Sequence, residues 1–157
     1  LPYLSGERTP HVDPYARGVF FGLSELTETQ DMTRAILEGV AFAFADGQDT
    51  ITASGLAPSS LLMVGGGARS QYWCEIIATV INRPVLFQQN ADLSGAVGAA
   101  YLAMKGESGS FPELTQNNTI SIEPNAAWQP ALQKKRHTYQ EIYRRIFPLF
   151  QEALTEQ

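Results

Sequence analysis

The stretch Leu61-Leu62-Met63-Val64-Gly65-Gly66-Gly67-Ala68-Arg69-Ser70-Gln71 decides the fold class of this chain. Its first four residues form an apolar run of strand length, three consecutive glycines follow, and Ser70 stands where a helix can start. Glycine adopts backbone angles that other residues avoid, and it has no Cβ to keep a ligand away from the chain. A strand end, a glycine turn and a helix N-terminus together present backbone N–H groups and the positive end of a helix dipole. This arrangement suits a nucleotide.

Strand and helix signals alternate on both sides of this stretch. The predicted strands cover residues 18–23, 61–64 and 85–87, and the predicted helices cover about 27–52, 70–81, 96–103 and 132–147. Ser24 or Thr27 is the expected cap of the first helix, Gly55 marks its end, and Pro148 is expected to end or kink the last helix. The alternation predicts an α/β architecture with helices packed on a sheet.

The apolar spacing also predicts which helix faces are buried. In the first helix an apolar residue recurs every four positions, which predicts a core face made of Met32, Ile36, Val40 and Phe44. In the helix after the glycines the expected core face consists of Trp73, Ile76, Ile77, Val80 and Ile81. The single Cys74 falls within that apolar pattern and is interpreted as a buried thiol.

Composition restricts the class of protein. The chain has 157 residues, of which 44% are apolar and 17% are charged, and this fits one globular domain or part of a larger one. A net charge of -5 argues against a nucleic-acid surface, and the basic residues at 134–136 and 144–145 are interpreted as a solvated helix face. No apolar run approaches the ~18 residues of a membrane span, and no signal peptide opens the chain. We expect a cytoplasmic protein with no membrane or nucleic-acid partner.

Three alternatives compete for the glycine motif. Gly65, Gly67 and Ser70 occupy the three glycine positions of the dinucleotide-binding fingerprint, but the third of these is a serine. The next strand is followed by Gln88 and Gln89, whereas a Rossmann domain has an acid there to bind the ribose. Both differences weaken the Rossmann alternative. A phosphate P-loop is excluded because no Gly-Lys-Ser/Thr follows. A merely structural tight turn remains open, although three consecutive glycines are more than a turn needs.

Several motifs, in order, resemble one protein family. Gly18-Val19-Phe20-Phe21-Gly22-Leu23, seven further residues and Asp31-Met32-Thr33-Arg34-Ala35-Ile36-Leu37-Glu38 fit the second signature of the FGGY carbohydrate kinases. Val64-Gly65-Gly66-Gly67-Ala68-Arg69-Ser70 resembles the adenosine motif of that family, and Gly95-Ala96-Val97-Gly98-Ala99-Ala100 resembles its late connecting helix. The opening Leu1-Pro2-Tyr3-Leu4-Ser5-Gly6-Glu7-Arg8-Thr9-Pro10-His11 is similar to the bacterial xylulokinase branch.

The resemblance implies a fold and a domain plan. The fold would be a ribonuclease H-like domain of the actin-like ATPase superfamily, incomplete, with helices packed on a small mixed sheet. Residues 1–105 would form most of the C-terminal kinase domain, its adenosine-binding half, followed by an irregular connection at 106–127 and a helix at 128–157 packed on the same domain. The chain opens within a motif and without an initiator Met, so we interpret it as a C-terminal piece of a longer protein.

The resemblance also implies a function. The complete protein would transfer phosphate from ATP, with Mg²⁺, to D-xylulose and form D-xylulose 5-phosphate, and it is expected to be a homo-oligomer. The alternatives are a kinase of glycerol, ribulose or gluconate, or a non-catalytic nucleotide-binding module. The catalytic Asp, the phosphate loops and the sugar contacts are expected upstream of Leu1, so this piece alone is predicted to be inactive.

The expected nucleotide contacts lie in the glycine stretch. They are Gly65, Gly66, Gly67, Ala68, Ser70 and Gln71, with Ala68 small enough to leave room for the adenosine. No residue of the chain is expected to act as the catalytic base or as a metal ligand. Glu38 and Asp46 are interpreted as exposed or locally hydrogen-bonded acids, and Glu7 as an acid in a loop that could face the cleft. His11 and His137 are isolated in the sequence and are interpreted as structural or exposed.

Overall fold

The computed structural model describes residues 1–88, 94–110 and 119–155. In these ranges the helices are α1 (Thr29–Ala53), a short 3-10 helix (Gly66–Arg69), α2 (Gln71–Ile81), α3 (Ser94–Ser108) and α4 (Gln129–Thr155). The strands are β1 (Leu61–Met63), β2 (Val85–Gln88) and β3 (Thr119–Ile122). None of the described helices is both long enough and apolar enough to cross a membrane.

The described strands form one small mixed sheet in the order β1-β2-β3. β1 and β2 are parallel, with Leu61 opposite Val85, and β2 and β3 are antiparallel, with Val85 opposite Ile122. β2 is therefore the central strand, and Val85 is fully buried. A parallel pair must be joined by a crossover, which here consists of the glycine stretch and α2. The expected small mixed sheet with packed helices is confirmed.

Two strand assignments made from sequence were wrong. Residues 18–23 form no strand. Their backbone pairing is limited to Val19, which exchanges two hydrogen bonds with Leu1 at 3.0 and 2.7 Å, and a strand needs a run of paired residues. Conversely, the expected irregular connection at 106–127 contains β3, and residues 106–108 belong to α3. The partner of β3 is β2, more than thirty residues earlier in the chain.

The core is built around α2. The predicted apolar face of this helix is confirmed, since Ile76, Ile77, Val80 and Ile81 are buried. Cys74 is also fully buried, and desolvation raises the pKa of its thiol. Asn82 ends the helix in the left-handed conformation, with φ of 53°.

The predicted core face of α1 was wrong. Met32, Ile36 and Phe44 are between 36% and 52% exposed, whereas the side of the helix that packs on α2 and α4 carries small residues, an aromatic ring and two acids. That buried side consists of Glu38, Gly39, Ala41, Phe42, Ala45 and Asp46. The predicted cap was wrong as well: Glu28 occupies the cap position and its N–H donates to Asp31 Oδ2 over 3.0 Å. Ser24 and Thr27 instead bond to each other.

The buried acids of α1 are paired with cations of α4. Lys135 Nζ donates to both carboxylate oxygens of Glu38, at 2.9 and 2.8 Å. Arg136 Nη2 donates to Asp46 Oδ1 at 2.7 Å and to Asp49 Oδ2 at 2.5 Å. The interpretation of residues 134–136 as a solvated face was therefore wrong for Arg136, whose side chain is 21% exposed, whereas Lys135 is 52% exposed and agrees with it. Both charges neutralise carboxylates that would otherwise be costly to bury.

The N-terminal segment, residues 1–17, is fastened to α4. Tyr3 and Tyr139 bond through their hydroxyl groups, and Tyr143 Oη donates to Asp13 Oδ2 at 3.0 Å. Gln151 Nε2 donates to Asp13 Oδ1 at 3.1 Å. This last contact lies beyond Pro148, which does not end α4 as predicted: Pro148 is exposed, and the helix on both sides of it is anchored to the core.

Candidate functional site

The three glycines after β1 differ in what the chain itself requires of them. Gly65 has φ of 85°, a conformation that side chains other than glycine rarely adopt. A Cβ built on Gly67 would lie 2.2 Å from Trp73 Cζ3, so no side chain fits there. Gly66 has neither constraint, since its φ is not in the left-handed region and a Cβ there would meet nothing within 4 Å among the described residues. The face of the loop at Gly66 is therefore open to an approaching molecule.

Trp73 holds the glycine loop in place. Its ring lies against Gly67, and its Nε1–H donates to the backbone oxygen of Leu37 on α1 at 3.1 Å. Its backbone N–H donates to Ser70 Oγ at 3.2 Å, which makes Ser70 the cap of α2 as predicted. The loop, the start of α2 and the middle of α1 are thus joined through one side chain.

The loop and the helix start supply hydrogen-bond donors. The first N–H groups of a helix have no acceptor within that helix. This applies to Gly66 and Gly67 in the 3-10 helix, and to Gln71 and Tyr72 in α2, since the N–H groups of Trp73 and Cys74 bond to Ser70. No acidic side chain stands in the first turn of α2. Donors together with an uncompensated positive helix end favour a polar or anionic ligand.

The residues predicted to contact the nucleotide all lie between Gly65 and Gln71, in the segment made of the 3-10 helix and the start of α2. Gly66, Ser70 and Gln71 are exposed, and Gly65 and Gly67 are half-buried. Ala68 is only 1% exposed, and its methyl group packs beside Phe87 in a small cluster under the loop. A larger side chain at position 68 would therefore clash with Phe87 of β2.

A depression of about 640 Å³ lies next to the start of α2. Sequence reasoning missed it, because its walls come from the first turns of α1, far from the glycines in sequence. It is lined by Thr29, Gln30, Asp31, Thr33, Arg34, Leu37 and Tyr72. The Arg34 guanidinium lies 5.6 Å from the centre of the Trp128 ring, and its Nε donates to Glu38 Oε1 at 2.8 Å. These contacts fix one charged wall of the depression.

The acids considered from sequence are engaged elsewhere. Glu7 accepts the backbone N–H of His11 at 2.8 Å, a contact within the N-terminal segment. Glu38 and Asp46 are buried in the ion pairs with α4, so they are not exposed acids, although Glu38 also accepts a local hydrogen bond from Arg34, which agrees with the second part of the expectation. Across residues 1–88, 94–110 and 119–155, no three His, Cys, Asp or Glu side chains come together in a way that could hold a metal ion.

Comparison with known proteins places the chain in a family. Residues 1–107 match the C-terminal domain of the FGGY family of carbohydrate kinases. The chain belongs to this family. The resemblance drawn from residues 18–38 and 64–70 is thereby confirmed, and so is the expected fold, because its structural neighbours are FGGY kinases.

Individual FGGY relatives match nearly all of the chain. It is 39% identical over 153 residues to a xylulose kinase of Escherichia coli (strain K12), covering 95% of this chain and 32% of that one. A "xyloylose kinase" from Brucella ovis superimposes with a TM-score of 0.84 at 39% identity, covering 95% of this chain and 32% of that one. A gluconate kinase from Lactobacillus acidophilus superimposes with a TM-score of 0.77 at 29% identity, covering 93% and 30%. The chain thus spans about a third of the length of these relatives.

Proposed function

We propose that this chain is the nucleotide-binding portion of an ATP-dependent carbohydrate kinase, and that the adenosine lies over the glycine loop. The observation that carries the proposal is Gly66. The conformation of Gly65 and the Trp73 ring beside Gly67 explain two of the three glycines, whereas the described residues place no demand on the third. A ligand that approaches the backbone closely accounts for it.

In this proposal the glycine loop binds the ribose and phosphates, and the depression lined by the first turns of α1 binds the base. The N–H groups at Gly66, Gly67, Gln71 and Tyr72 would donate to ribose and phosphate oxygens, and the α2 dipole favours the same negative charge. The depression beside Tyr72 has the size of a small-molecule site and would take the base. Bound ATP supplies the phosphoryl group, and this chain contributes by holding and orienting it.

The base catalyst and the sugar contacts are assigned outside this chain. Phosphoryl transfer to a hydroxyl needs a carboxylate to accept the proton and a metal ion near the phosphates. The buried acids Glu38 and Asp46 are occupied by Lys135 and Arg136, which leaves them unsuited to take a proton from a substrate. We therefore assign the base, the Mg²⁺ contacts and the sugar site to the other two thirds of the length seen in relatives, and we expect this chain alone to be inactive.

D-xylulose is the proposed sugar. It is favoured by the 39% identity to the xylulose kinase of E. coli over 95% of this chain. Gluconate is the second candidate, because a gluconate kinase also superimposes closely. The test is an ADP-release assay on the complete protein with D-xylulose, gluconate, glycerol and ribulose, with this chain alone as control. Fastest turnover on D-xylulose is expected; turnover on none of them, with ATP still bound, would identify a non-catalytic nucleotide-binding module.

The nucleotide contact is tested with Gly66→Val in the complete protein. The side chain finds open space in the fold but stands where the adenosine is placed, so we expect ATP affinity to fall at least tenfold, about 1.4 kcal/mol, with little change in thermal stability. Gly47→Val is the matched control, because a Cβ at Gly47 also meets nothing within 4 Å. Equal ATP affinity in the two variants would remove the glycine loop from the site.

A further inference from the structure

The Arg34 side chain, in the wall of the depression beside α2, has one covered face and one open face. Its guanidinium carbon Cζ lies over the face of the Trp128 ring, 5.6 Å from the ring centre. Arg34 lines the depression and Trp128 does not, so the Trp128 ring lies behind the guanidinium as seen from the depression. The Arg34 side chain is 42% exposed. A molecule in the depression can therefore reach the open face of the guanidinium plane.

An ion-pair network fixes the orientation of this guanidinium. Arg34 Nε donates to Glu38 Oε1 at 2.8 Å, one turn further along α1. Lys135 Nζ donates to the same oxygen at 2.9 Å from α4, so the carboxylate is itself held in place. A side chain that is already ordered loses less conformational entropy when a ligand binds to it. The planar group is therefore in position before a ligand arrives.

The Trp128 ring supports a second residue of the depression. It meets the Tyr72 ring edge to face, with the ring centres 5.9 Å apart and the planes at 72°. The position of Trp128 is fixed through Asn125, whose backbone oxygen accepts the N–H of Trp128 at 3.1 Å. Asn125 Nδ2 in turn donates to Glu75 Oε1 on α2 at 2.8 Å. One ring anchored to α2 thus lies behind both Arg34 and Tyr72.

The charges around the depression decide which part of a nucleotide suits Arg34. Glu38 offsets the charge of the guanidinium, and Asp31 places a second carboxylate in the lining. The depression therefore has no excess of positive charge for phosphate groups, whereas the first turn of α2 carries no acidic side chain. A guanidinium can bond to a carboxylate through its edge and still stack on an aromatic ring through its face. The open face of Arg34 thus suits an aromatic base better than a phosphate.

We propose that Arg34 is the surface on which the base of the nucleotide stacks, and that Trp128 is the positioning residue behind it. The guanidinium then lies between two aromatic groups, the Trp128 ring on one face and the base on the other. The inference rests on the proposed function, because it names the residue that contacts the base of the same nucleotide. Stacking involves the face of a base and not its hydrogen-bonding edge, so this contact adds affinity without selecting one base.

The test is isothermal titration calorimetry on the complete protein with two ligands, ATP and inorganic tripolyphosphate, which has the phosphates but no base. Arg34→Lys keeps a positive charge beside Glu38 but removes the planar face. It should weaken ATP binding by about fivefold or more and change tripolyphosphate binding by less than about twofold. Trp128→Leu removes the support and should act in the same direction. Arg144→Lys is the matched control, because Arg144 also pairs with a glutamate of its own helix but lies outside the depression, so both affinities should be unchanged.

Each outcome decides the inference. A selective loss of ATP affinity in both variants, with the control unchanged, supports it. Unchanged ATP affinity in Arg34→Lys would overturn it, because the planar face would not be needed. Equal losses for ATP and tripolyphosphate would assign Arg34 to the phosphates and would also overturn it, and a selective loss in Arg34→Lys alone would overturn the role of Trp128. A parent protein that does not bind ATP would overturn the proposed function as well, whereas normal ATP binding by the parent confines a negative result to Arg34 and Trp128.

Discussion

Gly67→Ala tests whether the Trp73 ring fixes the glycine loop. The new methyl carbon would lie 2.2, 3.0 and 3.3 Å from three atoms of the six-membered ring, all closer than ordinary contact. The ring has little freedom to withdraw, since its Nε1–H is bonded to Leu37 and it packs near Phe44. Overpacking of this kind costs about 1–3 kcal/mol, and the lost flexibility of the unfolded chain returns about 0.4–1 kcal/mol. We expect a net loss of about 1–2 kcal/mol.

The assay is thermal unfolding in a double-mutant cycle with Trp73→Leu. For a chain of this size, 1 kcal/mol corresponds to about 2–4 °C in Tm. Leucine lacks the six-membered ring, so in that background Gly67→Ala should become neutral or slightly stabilising. The expected coupling between the two positions is about 1–3 kcal/mol. Gly66→Ala is the control, and its Tm should stay near that of the parent. If Gly67→Ala costs the same with and without Trp73, the ring does not hold the loop.

Other parts of the fold give further predictions. Arg136→Met leaves Asp46 buried without its charge partner and should lower the free energy of unfolding in urea by about 3–5 kcal/mol. Arg145→Met removes an exposed ion pair and should change it by less than about 0.5 kcal/mol. Similar losses in the two variants would show that the Arg136–Asp46 pair is not important for stability. Burial raises the pKa of Tyr3 from 10.0 to about 12. The stability that its neutral hydroxyl contributes is therefore complete below pH 10 and should be lost between pH 10 and 12. Tyr3→Phe should make the free energy of unfolding fall less steeply in this range, and an unchanged slope would refute the raised pKa. The chain alone should self-associate in light scattering through its exposed apolar residues, and Ile36→Lys should raise the monomer fraction; a monodisperse parent chain would count against this.

Local signals sufficed for the glycine loop and α2. Three glycines, a Ser cap and an unbroken apolar face act over about a dozen residues, and each is visible in the sequence before any partner is known. α2 ends at Ile81, the predicted last residue, and Asn82 follows it in the left-handed conformation that its short polar side chain tolerates. The six residues expected to contact the nucleotide therefore lie on one turn of chain, although their contact with a nucleotide stays a prediction.

Long-range partners explain what the sequence did not reveal. The four-residue stripe of α1 was expected to be buried, but α1 packs through Gly39 and Ala41, which allow close approach, while Ile36 stays exposed. The buried Glu38 and Asp46 pair with Lys135 and Arg136, which follow them by 97 and 90 residues. Arg34 is a local partner of Glu38, but the sequence around the two acids does not show the distant partners. The same holds for β3, whose four residues gain strand character from β2.

The attachment of the N-terminal segment to α4 sets an order of events during synthesis. Asp13 bonds to Tyr143 and Gln151, which follow it by 130 and 138 residues. At the usual 5–20 residues per second, a ribosome needs about 6 to 28 s to add that much chain. Throughout that interval Asp13 and Tyr3 have been made while their partners on α4 have not. The N-terminal segment can thus form its local hydrogen bonds early, but it acquires its hydrogen bonds to α4 only after α4 has been translated.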